Sequence, residues 1–300
     1  MRLFIIDTQV ILHQIACILE KRFGKASLTP EQQTTAALYV EYAIAHANNL
    51  GWVPYFQQAD DECLVVWVDD SKPYWRTTAY PDYKGKRSRK PHYDKIFNLV
   101  CYHFNECDVP MSVIRFPTYE ADDIAAAIVR LWLESERKWL TQIHLCTVDS
   151  DWHGLVVDPA IYWLGTRDFV PRVRTRPEIY NWLMSQWNKQ SKRKQRLWAL
   201  PGYHDFQPDQ IWNWKAAAGD RSDNLPEGTP HHMINLMKPP RTNDLTVDTN
   251  TRNRIFRAIA IATQPNIQQG EQALQAIHFL GLTTPITTLA FPRQLDTAPV

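Results

Sequence analysis

The stretch CLVVWVDD, residues 63–70, decides the fold. An apolar run with no polar interruption stops at two aspartates. A strand with one wet face alternates apolar and polar residues. An unbroken run of this length belongs to a strand covered on both faces, the habit of parallel sheets. The shape recurs along the chain. LFII (3–6) is short and apolar and ends at Asp7, IHLCTV (143–148) ends at Asp149, and MSVIRF (111–116) and AIYWLG (160–165) have strand length. Segments with helical apolar spacing lie between them: QVILHQIACILEKRF from residue 9, QQTTAALYVEYAIAHANNLG closed by Gly51, IFNLVCYHFNE from residue 96, and a helix opened by TYEADD at residue 118. This order predicts an α/β domain with a mostly parallel central sheet flanked by helices.

After about residue 174 the character changes. RTRPEIYNWLMSQWNKQSKRKQRLWALPG is basic and aromatic, PDQIWNWKAAAGDRSDNLPEG is a short helix running into a loop, 238–251 reads as loop, and the remainder is mainly helical. The expected division is 1–173 for the α/β domain, with a basic region at about 71–100, and 174–300 for a mainly helical region. The net charge of +1 is balanced and argues nothing about partners. Five scattered cysteines show no C-x-x-C pair and read as free thiols. MRLFIIDTQV is interrupted by Asp7 with no small-residue cleavage site after it, so a signal peptide is not expected, and no stretch approaches the ~20 apolar residues of a membrane helix. The expectation is a cytoplasmic protein. The chain has 12 Trp, many of them between Trp163 and Trp214, and core packing accounts for them more simply than base stacking.

The aspartates carry the chemistry. In a parallel α/β sheet the carboxyl ends of the strands share one edge, where ligands bind. Asp7, Asp69 and Asp149 with Asp151 should therefore converge. The helix of TYEADD follows a strand, so its amino end brings Glu120, Asp122 and Asp123 to the same cleft, and GDRSDN adds Asp220 and Asp223 if that loop folds back. Acids in a first helical turn also favour the macrodipole, and Asp at a strand end is often a turn residue or helix cap, a fair account of Asp70. So many carboxylates together still call for positive charge. Oxygen donors without convergent His or Cys favour Mg²⁺ or Mn²⁺ over zinc. Two such ions roughly 4 Å apart form a clamp for phosphodiester cleavage. At 100° per residue, Glu120 and Asp123 share a helix face and Asp122 points elsewhere.

KPYWRTTAYPDYKGKRSRK (72–90) interleaves cations with Tyr74, Trp75, Tyr80 and Tyr83. Cations hold phosphates and aromatics stack on unpaired bases, which favours a nucleic-acid contact over a solvated tail. KQSKRKQR (189–196) lacks that interleaving and fits backbone contact or a solvated helix equally well.

Taken in order, FIIDTQ, VDDSKPYWR…YKGKR, YEADD, TVDSDW and GDRSDNLPEG resemble the flap endonuclease/5′-to-3′ exonuclease family. That family includes the 5′-nuclease domains of bacterial DNA polymerase I, phage 5′-exonucleases and phage ribonuclease H. The matches run from residue 3 to about 228, and the last motif is a narrow family signature. The resemblance implies metal ligands at Asp7, Asp69, Glu120, Asp122, Asp123, Asp149, Asp151 and Asp220, with Asp223 more peripheral. It implies catalytic roles for Lys84 and Arg76, with Tyr83 beside the active-site lysine. Lys72, Lys86, Arg87, Arg89 and Lys90 would contact nucleic acid. It implies two Mg²⁺ or Mn²⁺ and a substrate of branched or 5′-ended duplex DNA or RNA–DNA hybrid. A single-strand binding protein or sliding clamp is a partner the resemblance allows, and no membrane is expected. In the family the signature leads into a glycine-rich helix–turn–helix with a bound K⁺; NLPEGTPHHMINLMKPP has one glycine, Gly228, which argues against that K⁺. With no polymerase segment, a stand-alone nuclease of phage type is expected, acting in the host cytoplasm. Two other readings have discriminators. A PIN-like ribonuclease would lack YKGKR and GDRSDN, and a non-catalytic DNA-binding protein would bind without turnover under any divalent ion.

Overall fold

The computed structural model describes residues 2–227 except 25–27, 46–62, 73, 86–90, 107–112, 116, 135–140, 168–169, 221–222 and 226. Strand β1 (Arg2–Asp7) passes directly into helix α1 (Thr8–Phe23). Helix α2 (Pro30–Ala45), strand β2 (Cys63–Val68), short helix α3 (Trp75–Ala79), helix α4 (Pro91–Asn105), strand β3 (Val113–Ile114) and helix α5 (Ala121–Glu134) follow. Strand β4 (Gln142–Cys146) leads into a 3₁₀ turn over Ser150–Leu155, then β5 (Ile161–Arg167) and β6 (Val170–Arg174). Helices α6 (Arg176–Asn188), α7 (Lys192–Leu197) and α8 (Gln210–Ala218) complete the described chain.

The strands form one sheet in the order β3-β2-β1-β4-β5-β6. All neighbouring pairs are parallel except β5 with β6. The alternation of side chains sorts the core into two layers. Leu3, Ile5, Val66, Val68, Ile143 and Leu145 face α5 and the 3₁₀ turn. Phe4, Ile6, Trp67 and Cys146 face α1, α2 and α4. That two-sided burial is why CLVVWV carries no polar residue. Ile179, Leu183, Ile211 and Trp212 from the later helices join the same layer as Leu3 and Ile5. Most of the tryptophans in question sit in or against this core: Trp163 and Trp212 are buried, and Trp182, Trp198 and Trp214 pack against it.

Three elements differ from the sequence reading. β3 spans two residues, where MSVIRF suggested six, and residues 111, 112 and 116 lie outside the described set. IHLCTV ends its strand at Cys146, and exposed Val148 belongs to the turn that follows. β6 has no counterpart in the reading. VPRVR has no clean apolar alternation, and its Pro171 suits the sheet edge that β6 occupies. The glycine-poor segment from residue 228, the 238–251 loop, the remaining helices and Gly51 all lie outside the described residues.

Candidate active site

The parallel strands put their carboxyl ends on one edge, and the acids of that edge are tied to backbone and to one another. Asp7 caps α1, accepting from the N–H groups of Gln9 and Val10 at 3.1 and 3.4 Å. Its other oxygen accepts from the Thr147 hydroxyl at 2.8 Å, and the Thr147 oxygen in turn accepts the Asp149 N–H at 3.0 Å. Asp149 caps the 3₁₀ turn through the Asp151 N–H at 2.9 Å. Thr147 thus links β1 to β4 at their ends.

Two acid sets converge among the described residues. Carboxylate oxygens of Asp122, Asp149 and Asp151 lie within 4.8 Å of one another, and so do those of Asp151, Asp220 and Asp223. Asp151 belongs to both. The loop of GDRSDN therefore folds back to the strand edge, pinned by a two-way bridge between Asp220 and Leu225 and by the Lys84 N–H on the Asp223 carbonyl at 3.0 Å.

The helix that begins with EADD splits its acids by face. Arg76, 2% exposed, reaches Asp123 through both guanidinium ends at 2.8 and 2.6 Å and Glu120 at 2.6 Å. Asp123 also accepts from the Trp75 indole at 3.0 Å and the Glu120 N–H at 3.1 Å, half of a capping box. Glu120 receives the Tyr83 hydroxyl at 3.0 Å and pairs with Lys84. Glu120 and Asp123 therefore stand outside the two convergent sets, engaged by cations of the chain, while Asp122 faces the strand ends. Arg76 is buried in these contacts and offers no open face to a substrate phosphate.

Of the paired aspartates, Asp69 accepts from Gln9 at 2.7 Å and Arg115 at 2.6 Å. Asp70 accepts the Ala121 N–H at 2.8 Å and the Tyr74 hydroxyl at 2.8 Å. An open cleft runs past these ends, lined among others by Asp7, Asp70, Glu120, Asp122, Asp149, Lys72 and Lys84 but not by Asp69, Asp151, Asp220 or Asp223. Lys72 and Lys84 lie over the Tyr74 ring, and Lys84 also over Tyr83. Lys86, Arg87, Arg89 and Lys90 lie outside the described residues.

Indole N–H groups hold much of this edge in place. Trp152 donates to Asp122 Oδ1 at 2.6 Å, Trp163 to the Asp149 carbonyl at 3.0 Å and Trp212 to the Asp151 carbonyl at 3.1 Å. Trp212 lies so close to Gly154 that a Cβ there would meet its ring at 2.6 Å. Lys215, on the same helix as Trp212, pairs with Asp151 and with Asp220. Neither Trp152, Lys215 nor Thr147 stands out in the sequence as a site residue. The signals available were the Trp directly after TVDSD and the lysine five residues before the Asp of GD.

The charges are in conflict as they stand. Burial pushes the Asp122 carboxyl up to about 7, with Asp149 adding to it and Lys84, Arg76 and Trp152 opposing. Burial also raises Asp151 well above the carboxylate range despite Lys215, with Asp149 and Asp122 contributing. Asp7 is raised by burial and by Asp122, against the Thr147 hydrogen bond. Burial alone would lower the Lys215 ammonium, but Asp151, Asp149 and Asp220 outweigh it and the net shift is upward. Carboxylates that raise one another in this way suit a bound cation, and an all-oxygen donor set suits a hard divalent one.

Residues 2–180 match the sequence family described as the 5′-3′ exonuclease, N-terminal resolvase-like domain. The chain belongs to this family. It is 28% identical over 167 residues to DNA polymerase I, thermostable, of Thermus aquaticus, which is 56% of this chain and 16% of that polymerase. The chain thus spans less than a fifth of that relative. Among solved structures it is similar to the bacteriophage T5 D15 protein co-crystallised with metal ions (16% identity, 93% of this chain and 95% of that one, TM-score 0.47). It is also similar to T5 5′-exonuclease with bound divalent zinc (17% identity, 94% and 90%, TM-score 0.49). Likenesses this loose carry no site geometry. The family is one of nucleases. Among the described residues no helix is long and apolar enough to cross a membrane.

Proposed function

We propose that the chain is a structure-specific 5′-nuclease, a 5′-to-3′ exonuclease and flap endonuclease. It would hydrolyse phosphodiester bonds near the 5′ end or flap of duplex DNA or RNA–DNA hybrid, in primer removal or repair. The observation that supports this best is the sharing of Asp151 between two convergent carboxylate sets at the strand edge, in a chain of the 5′-3′ exonuclease family. Asp122, Asp149 and Asp151 would hold one Mg²⁺ or Mn²⁺, and Asp151, Asp220 and Asp223 a second. Bound there, such ions activate water for in-line attack and neutralise charge on the leaving oxygen.

The chain's own groups have separate tasks in this reading. Thr147, Trp152, Trp163 and Trp212 orient the ligand carboxylates and the backbone beneath them. Arg76 neutralises Asp123 and Glu120, which lets the helix place Asp122 at the cleft. Lys84 lines the cleft, and in this reading it would turn from Glu120 toward a scissile phosphate and stabilise its developing charge. Lys72 and the cations of residues 86–90 would hold the strand entering the cleft. The test uses 5′-labelled flapped, nicked and RNA-primed duplexes with Mg²⁺ and with EDTA. Short 5′ products with Mg²⁺ alone are expected, falling steeply as salt rises. Preference for single-stranded RNA over all three duplexes, or cleavage in EDTA, would overturn the proposal.

A further inference from the structure

The two acid sets differ in what already neutralises them. Asp122 and Asp149 form no ion pair among the described residues, and the hydrogen bonds they accept come from an indole and a backbone N–H. Lys215 pairs with Asp151, which both sets share, and among the acids belonging to one set alone it pairs only with Asp220, in the second. Lys215, with its side chain 11% exposed, pairs with Asp151 Oδ1 and lies 3.3 Å from Asp220 Oδ2. It touches two of the three acids of that set.

Its position is fixed from both directions along α8. One turn earlier, Trp212 donates to the Asp151 carbonyl at 3.1 Å and packs against Gly154, where no Cβ intervenes. Just after it, the helix closes at Gly219 with φ 77°, a conformation glycine adopts without penalty, and the chain turns into Asp220. Lys194 donates to the Ala218 carbonyl at 2.9 Å and steadies that end. The helix thus delivers an ammonium into the middle of the Asp151–Asp220 pair. The ammonium stands where a second cation would be held.

We propose that Lys215 is a built-in counter-cation of the second acid set: without nucleic acid the protein takes up one divalent ion readily at Asp122, Asp149 and Asp151, and a second only as the ammonium gives way. Lys215 is a positioning residue in this account, acting on Asp151 and Asp220 and not on the substrate. The inference rests on the metal assignment of the preceding subsection.

The test counts Mn²⁺ bound to the full chain without DNA, by calorimetry and by the electron paramagnetic resonance of free Mn²⁺. The wild type should bind one ion in a first phase and a second at least about tenfold more weakly, because a unit charge a few ångströms from a divalent ion opposes it strongly even at an effective dielectric of about 20. Lys215→Met keeps the length and removes the charge. It should strengthen the second phase by about tenfold or more, while Lys215→Arg should retain the wild-type inequality. Two equivalent ions on the wild type would overturn the inference and leave the metal assignment standing. So would a second phase unchanged in folded Lys215→Met. No Mn²⁺ binding at all would overturn both. Should Lys215→Met fail to fold by circular dichroism, the wild-type isotherm decides.

Discussion

Replacing Trp152 by Phe isolates one contact in the acid cluster. The indole N–H lies 2.6 Å from Asp122 Oδ1, and the ring is fully buried. Phe keeps most of the aromatic body and deletes the donor. A hydrogen bond to a charged acceptor contributes about 1.5–3 kcal/mol. Loss of a partner that orients a metal ligand costs about 10- to 100-fold in metal affinity, which converts to about 1.4–2.8 kcal/mol. The two routes agree. Trp152→Phe should therefore weaken the first Mn²⁺ phase by about 10- to 100-fold, and the smaller ring should cost about 1–2 kcal/mol of stability, below the ~3–5 kcal/mol of truncation to Ala. Trp67→Phe is the matched control. Trp67 is equally buried but lies in the opposite layer, and its indole nitrogen has no hydrogen-bond partner among the described residues. It should lose comparable stability and no Mn²⁺ affinity. Calorimetric Mn²⁺ titrations of both variants, with urea melts alongside, make the comparison. Unchanged Mn²⁺ affinity in Trp152→Phe, or an equal loss in Trp67→Phe, would refute the reasoning.

Other perturbations follow from the same contacts. Arg76→Met strands Asp123 and Glu120 in the interior, and urea denaturation should show a loss of about 3–5 kcal/mol, the cost of breaking a buried pair from one side. Gly154→Ala forces a methyl against the Trp212 ring and should cost about 1–3 kcal/mol, read as a lower melting temperature. Buried His144, stacked between Phe4 and Tyr162, has its pKa lowered to about 4, first by burial and then by Arg2. Its unfolded form binds a proton near pH 6.5, so the unfolded state holds more protons between about pH 4 and 6.5 and stability rises with pH across that window. Denaturation of wild type and His144→Gln across pH 4–7 should show the variant losing that slope, which reaches about 3 kcal/mol at most.

Much of this architecture is legible in the sequence for a simple reason. Strands β1 and β2 are buried on both faces, so apolar runs ending in Asp announce them, and parallel topology then gathers Asp7 and Asp149 without knowledge of any contact. The helical angle also separates Asp122 from Glu120 and Asp123, and the structure shows that split in the Arg76 contacts. The rest depends on approaches between distant segments. Whether Asp69 or Asp70 lines the cleft depends on Arg115 and on the amino end of α5. Lys215 is one lysine in a short helix until the GDRSDN loop folds back onto Asp151. The Trp-rich composition told of burial but not of indole donors aimed at the acid edge. β6 escaped notice because an edge strand carrying Pro171, Arg172 and Arg174 has no two-sided burial to mark it.

The central claim is that the convergent acids perform metal-dependent hydrolysis at 5′ ends. One measurement reaches it most directly: cleavage of a 5′-labelled flapped duplex in Mg²⁺ by wild type and by the Asp149→Asn, Asp151→Asn double variant, both confirmed folded and both tested for DNA binding in EDTA. The account predicts that the variant still binds the flap and loses cleavage by at least about a thousandfold, since two of the three carboxylates of the first set are gone and the second loses the one it shares. Cleavage by the double variant at a rate near that of the wild type would contradict it.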